Sequence, residues 1–274
     1  MKLRKVFTFY FLLFVFSSIF AWCKKSVPFM KKFWGFLLVI VLMTSCGEYQ
    51  SLLKSNDYNL VYKKAIEYYN KGDYQRAMNL LDGVRSVFVG QAKAQNIAYY
   101  RAFCSYNMKD YQIASDLFKQ FIQTYPESSF AEECLYMMGF CDYKASPKPR
   151  LDQQVTEKAI REFQLYLSRY PYSMRKDKVN TYMDEMRDKL SYKAYLSAKN
   201  YYLREHYKAA VISLQNCLKD YPGSKYREEI MYMLFVSKYQ MAVNSVEDKK
   251  VERYNNAREE YYYFADEYPN SRYA

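Results

Sequence analysis

Residues 111–126 read YQIASDLFKQFIQTYP, and this stretch decides the fold because most of the chain repeats its pattern. Ala114 is followed four and seven positions later by Phe118 and Phe121. That spacing places the three side chains on one face of an α-helix. The Tyr-Pro pair at the end stops the helix, because the residue before a proline is pushed out of the helical conformation. The stretch therefore predicts one amphipathic helix with a defined end.

The same features return along the chain. Each Tyr-Pro pair has an alanine twelve residues before its proline and a serine two residues after it. The four alanines are Ala114, Ala159, Ala210 and Ala257. An earlier copy has Ala77 but Val89 in place of the proline. A second helix precedes each of these five, marked at one position by Ala65, Ala102, Gly139, Ala198 or Phe235. Repeated helical pairs predict stacked hairpins, because one pair cannot bury its apolar face alone.

The first two copies carry the marks of a known repeat. They read Ala65, Tyr68, Gly72, Tyr74 and Ala77, then Ala102, Tyr111, Ala114, Phe118 and Pro126. This pattern resembles the tetratricopeptide repeat over residues 57–274. The resemblance implies an all-α, tetratricopeptide-like solenoid of about five helical hairpins, wound into a right-handed superhelix.

The spacing predicts longer helices than that family has. Ala77 and Ala114 are 37 residues apart, against about 34 in tetratricopeptide repeats. Extra residues enter near Pro147 and Pro149, between repeats 3 and 4, and at 243–252. Ser129 and Glu132 also fit a capping box at the start of the first helix of repeat 3.

The N-terminal residues 1–45 predict an export leader. An uncharged run covers residues 6–22, and a second apolar run at 33–43 follows its own Met30 and two lysines. Translation therefore starts at Met1 or at Met30. Small residues then precede Cys46. This arrangement resembles the lipobox of bacterial lipoproteins, in which the cysteine is acylated, for example with palmitate. The alternative is that residues 6–22 span a membrane.

The charge argues against nucleic acid as a partner. The formal net charge is +12, but residues 1–45 hold seven basic residues and no acidic one. Subtracting them leaves 34 basic against 29 acidic residues, or +5, without long runs. We divide the chain into the leader (1–45), a lipidated N-terminus with a short linker (46–56), repeats 1–3 (57–172) and repeats 4 and 5 (173–274).

Tyrosines recur at two places on the first helix of every repeat. The first row is Tyr62, Tyr99, Tyr136, Tyr195 and Tyr232, and the second row is Tyr69, Tyr106, Tyr143, Tyr202 and Tyr239. Positions seven apart share one stripe of a helix. In tetratricopeptide proteins these positions face the groove, so the resemblance implies a binding surface, to which Asn70 and Asn107 could contribute hydrogen bonds. The alternative is that the rows pack between neighbouring helices.

Signs of catalysis are weak. The seven glycines show no nucleotide-loop spacing, so we expect no nucleotide cofactor, and no metal site is indicated. His206 is the one histidine and falls in a short turn, which predicts an exposed residue. Cys104 could pair with Cys134 or Cys141 in an oxidising envelope, but buried thiols are the stronger interpretation for these and Cys217.

The leader, the lipidation site and the long-helix repeats with Tyr-Pro-x-Ser turns together resemble the BamD (ComL-like) family of lipoproteins of the outer-membrane β-barrel assembly machinery. The resemblance implies a scaffold, not an enzyme, anchored by lipid on the periplasmic face of the outer membrane. Its implied partners are the periplasmic domains of the barrel insertase, other assembly lipoproteins and unfolded outer-membrane proteins.

In that family the N-terminal repeats are associated with substrate and the C-terminal repeats with partner subunits. The substrate candidates are therefore Tyr62, Tyr69, Asn70, Tyr99, Tyr106, Asn107, Tyr136 and Tyr143. The candidates for insertase docking are Tyr195, Tyr202, Arg227 and Arg258. The rival hypothesis is a glycan-binding lipoprotein similar to starch-binding lipoproteins, or another tetratricopeptide lipoprotein of the cell envelope. Aromatic residues of a glycan-binding protein would stack on sugars, but both tryptophans, Trp22 and Trp34, lie in the leader.

Overall fold

The computed structural model describes residues 47–273, and every regular element within them is an α-helix. Contacts separate residues 1–62 from residues 63–274, a boundary that falls inside the second helix. The helices of the described residues are α1 (Gly47–Leu53), α2 (Tyr58–Asn70), α3 (Tyr74–Val84), α4 (Ala92–Asn107), α5 (Tyr111–Thr124), α6 (Ala131–Ala145), α7 (Gln154–Arg169), α8 (Lys176–Leu203), α9 (Tyr207–Asp220), α10 (Arg227–Val243) and α11 (Glu247–Glu267).

The last ten helices alternate as first and second helices of five hairpins, so the predicted all-α hairpin fold is confirmed. Helix α1 lies within the segment interpreted as a linker. The leader and Cys46 fall outside the described residues. No helix within 47–273 is both long and apolar enough to cross a bilayer.

Short turns join the two helices of a hairpin. In three of these turns one residue has the same backbone conformation. Gly72, Lys109 and Glu205 take the same place in hairpins 1, 2 and 4, with φ of 83°, 68° and 60°. Glycine adopts this left-handed region freely, whereas it costs other residues roughly 1 kcal/mol. In the first hairpin Asp73 then caps α3, accepting a hydrogen bond from the Arg76 amide at 3.2 Å.

The small residues found in the sequence lie where helices approach most closely. Seven of the alanines that mark the repeats have no exposed surface, namely Ala65, Ala77, Ala102, Ala114, Ala159, Ala198 and Ala210. A Cβ added to Gly139 would stand 2.9 Å from the ring of Phe163. The apolar side chains four and seven positions after each second-helix alanine are buried, with one exception. Tyr261 on α11 is 45% exposed.

The Tyr-Pro-x-Ser segments form a repeated turn after the second helix. The hydroxyl oxygens of Ser128, Ser173, Ser224 and Ser271 each accept a hydrogen bond from the amide two residues later, over 3.1–3.3 Å. Ser173 and Ser271 also donate to Glu132 and Glu228 on the first helix of their own hairpins, at 2.7 and 2.6 Å. The serine therefore closes the turn and ties it to the hairpin.

The predicted capping box is wrong. Helix α6 begins at Ala131, and its preceding amide, that of Phe130, donates to Ser128 rather than to Ser129. The Glu132 carboxylate instead accepts hydrogen bonds from Tyr166 and Ser173. The tertiary hydrogen bonds use the carboxylate that the local motif would have needed.

The extra residues between repeats 3 and 4 lengthen one helix. Helix α8 has 28 residues. Val179, Met183 and Met186 in its first half join a core formed with α4, α5, α6 and α7. Tyr195 and Ala198 in its second half join a separate core with α9 and α10. The helix therefore serves two hairpins in succession.

The cysteines of the described residues are free thiols. Cys104, Cys134, Cys141 and Cys217 are all buried, which confirms the preferred interpretation over a disulfide. Burial raises the pKa of the Cys217 thiol to about 11 and that of Cys134 to about 12. These groups stay protonated and act as small apolar side chains.

Candidate binding surface of the first helices

The two tyrosine rows differ in depth. In the first row Tyr136 and Tyr195 are buried, at 7% and 5% exposure, and the others are half-buried. In the second row Tyr239 is exposed, and the rest are half-buried. The first row therefore lies deeper in the fold than the second.

First-row hydroxyls connect successive repeats. Tyr99 donates to the Glu133 carboxylate at 2.9 Å, and Tyr195 donates to the Glu229 carboxylate at 2.8 Å. Both acceptors lie 34 residues further along the chain, on the first helix of the next hairpin. The Tyr195 ring also stacks on Tyr226, with centroids 4.4 Å apart. Buried hydroxyls of this kind need a partner, so these contacts stabilise the stacking of hairpins.

The other first-row rings in residues 63–273 contact the second helix of their own hairpin. Tyr136 lies 5.9 Å from Tyr166 on α7, and Tyr232 lies 6.1 Å from Phe264 on α11. We therefore give the first row mainly a packing role, as the alternative interpretation expected.

The second-row rings of hairpins 1 to 3 lie at the turn end of the first helices and contact the next hairpin. Tyr69 meets Tyr100 at 5.0 Å, and Tyr143 meets Tyr182 at 4.5 Å. Tyr106 lies 6.2 Å from Phe140. These rings remain half-buried, so they pack against one another and still present surface to solvent.

Eight half-buried rings form one connected surface, which we call the aromatic strip. Neighbouring centroids along it are 4.5–6.4 Å apart. Its members are Tyr69, Tyr99, Tyr100, Phe103, Tyr106, Phe140, Tyr143 and Tyr182. Edge-to-face and offset contacts at these separations contribute about 0.5–1.5 kcal/mol per pair beyond burial. These contacts therefore stabilise the arrangement of the rings in the strip.

Carboxylates and lysines border the aromatic strip. A hydrogen bond to Glu185, followed by burial, raises the pKa of Tyr143 to about 12. Burial, followed by the hydrogen bond to Glu133, raises the pKa of Tyr99. Both hydroxyls are therefore donors at neutral pH. The Lys144 ammonium lies 5.2 Å from the Phe140 centroid.

The two asparagines proposed for peptide binding differ. The Asn107 amide donates to the Tyr69 hydroxyl at 3.4 Å, which links hairpins 1 and 2. Asn70 is exposed at the end of α2. Asn70 is thus the better placed of the two to bind a peptide backbone.

Sequence reasoning missed half of the aromatic strip. Phe103 and Phe140 lie four residues after the first-row tyrosine and three before the second-row tyrosine of their helices. That spacing places them between the two rows on the same stripe, a signal that the sequence does contain. Tyr100 and Tyr182 had no such signal. Tyr100 directly follows a first-row tyrosine and so leaves its stripe, and Tyr182 belongs to the extra residues of α8.

The docking candidates of repeats 4 and 5 are mostly engaged inside the fold. Tyr195 is buried, and Tyr202 is half-buried. Arg227 forms two hydrogen bonds to Glu267, at 2.6 and 3.0 Å, joining the start of α10 to the end of α11. Arg258 is exposed on α11, which also exposes Tyr262 and Tyr263.

One polar cluster has the residue types of a serine–lysine site but cannot reach substrate. The Lys158 ammonium donates to Ser115 at 3.2 Å and lies 2.9 Å from Asp142. Ser115 has no exposed surface. His206, the histidine weighed as a catalyst, is an exposed turn residue as expected. Within residues 47–273 no cluster of potential metal ligands occurs.

Comparison with known proteins gives one family match. The family model of YfiO, described as an outer membrane lipoprotein, matches residues 54–229 and 198–274. Two solved structures share 13% identity and cover 74% of this chain. The TPR2AB-domain:pHSP90 complex of yeast Sti1 has a TM-score of 0.39 with 77% of its chain covered, and MamA of AMB-1 has 0.31 with 90%. No curated protein matches the chain.

Proposed function

Because this chain belongs to the YfiO family of outer membrane lipoproteins, we propose that it is a lipid-anchored scaffold of the outer-membrane β-barrel assembly machinery. It acts on the periplasmic face by binding other proteins, without chemistry of its own. Acylation of Cys46 holds it to the membrane. Each buried CH₂ of an acyl chain contributes roughly 0.8 kcal/mol, so more than one chain gives lasting attachment.

The aromatic strip is the observation that carries this proposal. Membrane-barrel strands alternate apolar and polar side chains, with aromatic girdles at both interfaces. In an extended chain, side chains on one face recur about every 6.6 Å. The rings of the strip are 4.5–6.4 Å apart, which suits contact with successive side chains of one unfolded segment. Unfolded barrel precursors are therefore the proposed substrate of repeats 1–3.

We propose that repeats 4 and 5 dock onto the insertase. Arg258, Tyr262 and Tyr263 on α11 offer charge and exposed aromatic area, whereas Tyr195 and Arg227 hold the repeats together. Tyrosine and arginine are enriched among the residues that dominate binding energy. Of the four predicted docking residues we therefore keep Arg258, and we propose that it docks together with Tyr262 and Tyr263 on the exposed face of α11.

Co-purification tests this function. The lipidated protein, pulled from detergent-solubilised envelopes, should recover a β-barrel insertase that carries repeated periplasmic domains. Tyr262→Ala with Arg258→Glu should lower that recovery, whereas Leu165→Ser, an exposed leucine on α7, should not. Recovery of polysaccharide-import proteins together with measurable glycan binding would favour the rival glycan-binding function instead.

A further inference from the structure

A second surface lies beside the second half of α8. Residues 176–190 pack against the preceding hairpin, and residues 191–203 pack against α9 and α10. In an ordinary repeat array each unit contacts both neighbours. Here a cleft of about 680 Å³ opens along α8, lined by that helix, Arg150 of the 146–153 loop and Tyr226. We call it the α8 cleft.

Part of the lining of the α8 cleft is apolar. Tyr192, Leu196 and Leu203 are four and seven residues apart, so they share one face of the helix. Leu203 is 66% exposed, although it is a large apolar side chain. This face therefore offers apolar contact area that no described residue covers fully.

The loop at the rim is held firmly by hydrogen bonds. Gln153 is 2% exposed, and its amide donates to the carbonyl oxygens of Lys148 and Leu151, at 2.8 and 3.1 Å. From α8, Lys193 donates to the same Leu151 carbonyl at 2.9 Å, and Lys189 donates to the Ser146 hydroxyl at 2.6 Å. The loop is thus fixed against α8 and holds Arg150 at the cleft.

The charged residues that line the α8 cleft are all basic. Arg150, Lys193 and Lys199 line the cleft, and no aspartate or glutamate does. Lys199 is neutralised by Glu229 at 2.7 Å, so the field comes from the other two. A guanidinium binds a carboxylate with two parallel hydrogen bonds, and Lys193 retains donors beyond the one at Leu151.

We propose that the α8 cleft binds an extended, acidic segment of a partner protein that carries apolar side chains. Carboxylates of the segment pair with Arg150 and Lys193, and its apolar side chains cover Leu196 and Leu203. Charge complementarity selects this occupant, because a basic segment would place like charges together. The site is separate from the aromatic strip and does not depend on the function proposed for it.

Binding of a defined peptide to the full-length protein in detergent tests the proposal. The probe is a fluorescent peptide of about ten alternating aspartates and leucines, long enough for the cleft at roughly 3.3 Å per residue. Two comparison peptides replace aspartate by lysine or leucine by serine. The aspartate–leucine peptide should bind, and each comparison peptide should bind about tenfold more weakly or not at all.

Substitutions of lining residues test whether the peptide binds in the α8 cleft. Arg150→Glu and Leu203→Ser should each weaken the probe about tenfold, whereas the matched changes Lys208→Glu and Leu165→Ser lie outside the lining and should not. Both mutated positions are exposed, and circular dichroism melting checks that folding is intact. Equal binding by wild type and Arg150→Glu overturns the proposal. So does an Arg150-dependent affinity for phosphatidylglycerol vesicles without peptide binding, or self-association that Arg150→Glu abolishes.

Discussion

The hydroxyl of Tyr99 donates a hydrogen bond of 2.9 Å to the carboxylate of Glu133, on the first helix of the next hairpin. Tyr195 and Glu229 repeat the same relationship at the same separation of 34 residues. Because equivalent hydrogen bonds occur in two different hairpins, the contact is a periodic feature of the repeats rather than an isolated one. The first tyrosine row therefore stabilises the stacking of repeats.

Removing one of these hydroxyls should weaken the fold. Tyr99→Phe keeps the ring but deletes the hydrogen bond and leaves a half-buried carboxylate without that donor. We expect the free energy of unfolding to fall by about 1 kcal/mol, measured by urea denaturation. Tyr262→Phe, at an exposed position, is the matched control and should change nothing. Equal stability of both variants and wild type would remove the role given to this bond.

Two glycines in helices should respond in opposite directions to alanine. In Gly139→Ala the new Cβ would stand 2.9 Å from the buried Phe163 ring, so we expect a loss of about 1–3 kcal/mol. In Gly83→Ala nothing lies within 4 Å of the new Cβ, so the helix should gain about 0.5–1 kcal/mol. Thermal melting of both variants decides this, and a shift of the same sign in both contradicts the packing described.

The buried carboxyl of Glu162 should make stability depend on pH. Burial raises its pKa to about 8, and Asp142, Lys158 and Ser115 surround it from α6, α7 and α5. Between the unfolded value near pH 4.3 and pH 8 the folded protein keeps a proton that the unfolded chain releases. Stability contributed by this proton is therefore lost as the pH rises through that window.

Glu162→Gln removes the titration and keeps the shape. The variant should be more stable than wild type at pH 8, by about 1–2 kcal/mol, and the difference should shrink towards pH 5. Glu157→Gln, exposed on the same helix, is the control. A constant difference between pH 5 and 8 would show that Glu162 does not hold the proton.

Membrane attachment should depend on Cys46. Cys46→Ala removes the proposed site of acylation. We expect the variant to leave the outer-membrane fraction when envelopes are separated by density. Retention of the variant in that fraction would contradict the lipid anchor.

Much of the fold could be predicted from the sequence. The spacing of Ala114, Phe118 and Phe121 and its return in other copies predicted the hairpins. The family expected from the leader, the lipidation site and the repeats together is confirmed by the YfiO match. The periodic pattern predicts the fold because each repeat packs against its neighbours in the same way. The length of α8 was not predictable in this way, because its extra turns add apolar positions without breaking the helical period.

The candidate site was harder to predict. The tyrosine rows were visible, but a helical stripe does not say whether its side chains contact solvent or the next helix. Tyr136 and Tyr143 share one stripe, and yet one is buried and the other half-buried. Depth depends on the neighbouring hairpin, and partners such as Glu133 and Glu185 come from sequence-distant helices.

Affinity for a urea-unfolded, fluorescently labelled barrel protein tests most directly the proposal that the aromatic strip binds unfolded barrel precursors. Tyr106→Ala and Tyr143→Ala, alone and together, should weaken binding to the full-length protein, by about tenfold for the pair. The matched pair Tyr262→Ala and Tyr263→Ala removes exposed tyrosines outside the strip and should leave the affinity unchanged. Undiminished binding by the folded strip variants would contradict the account.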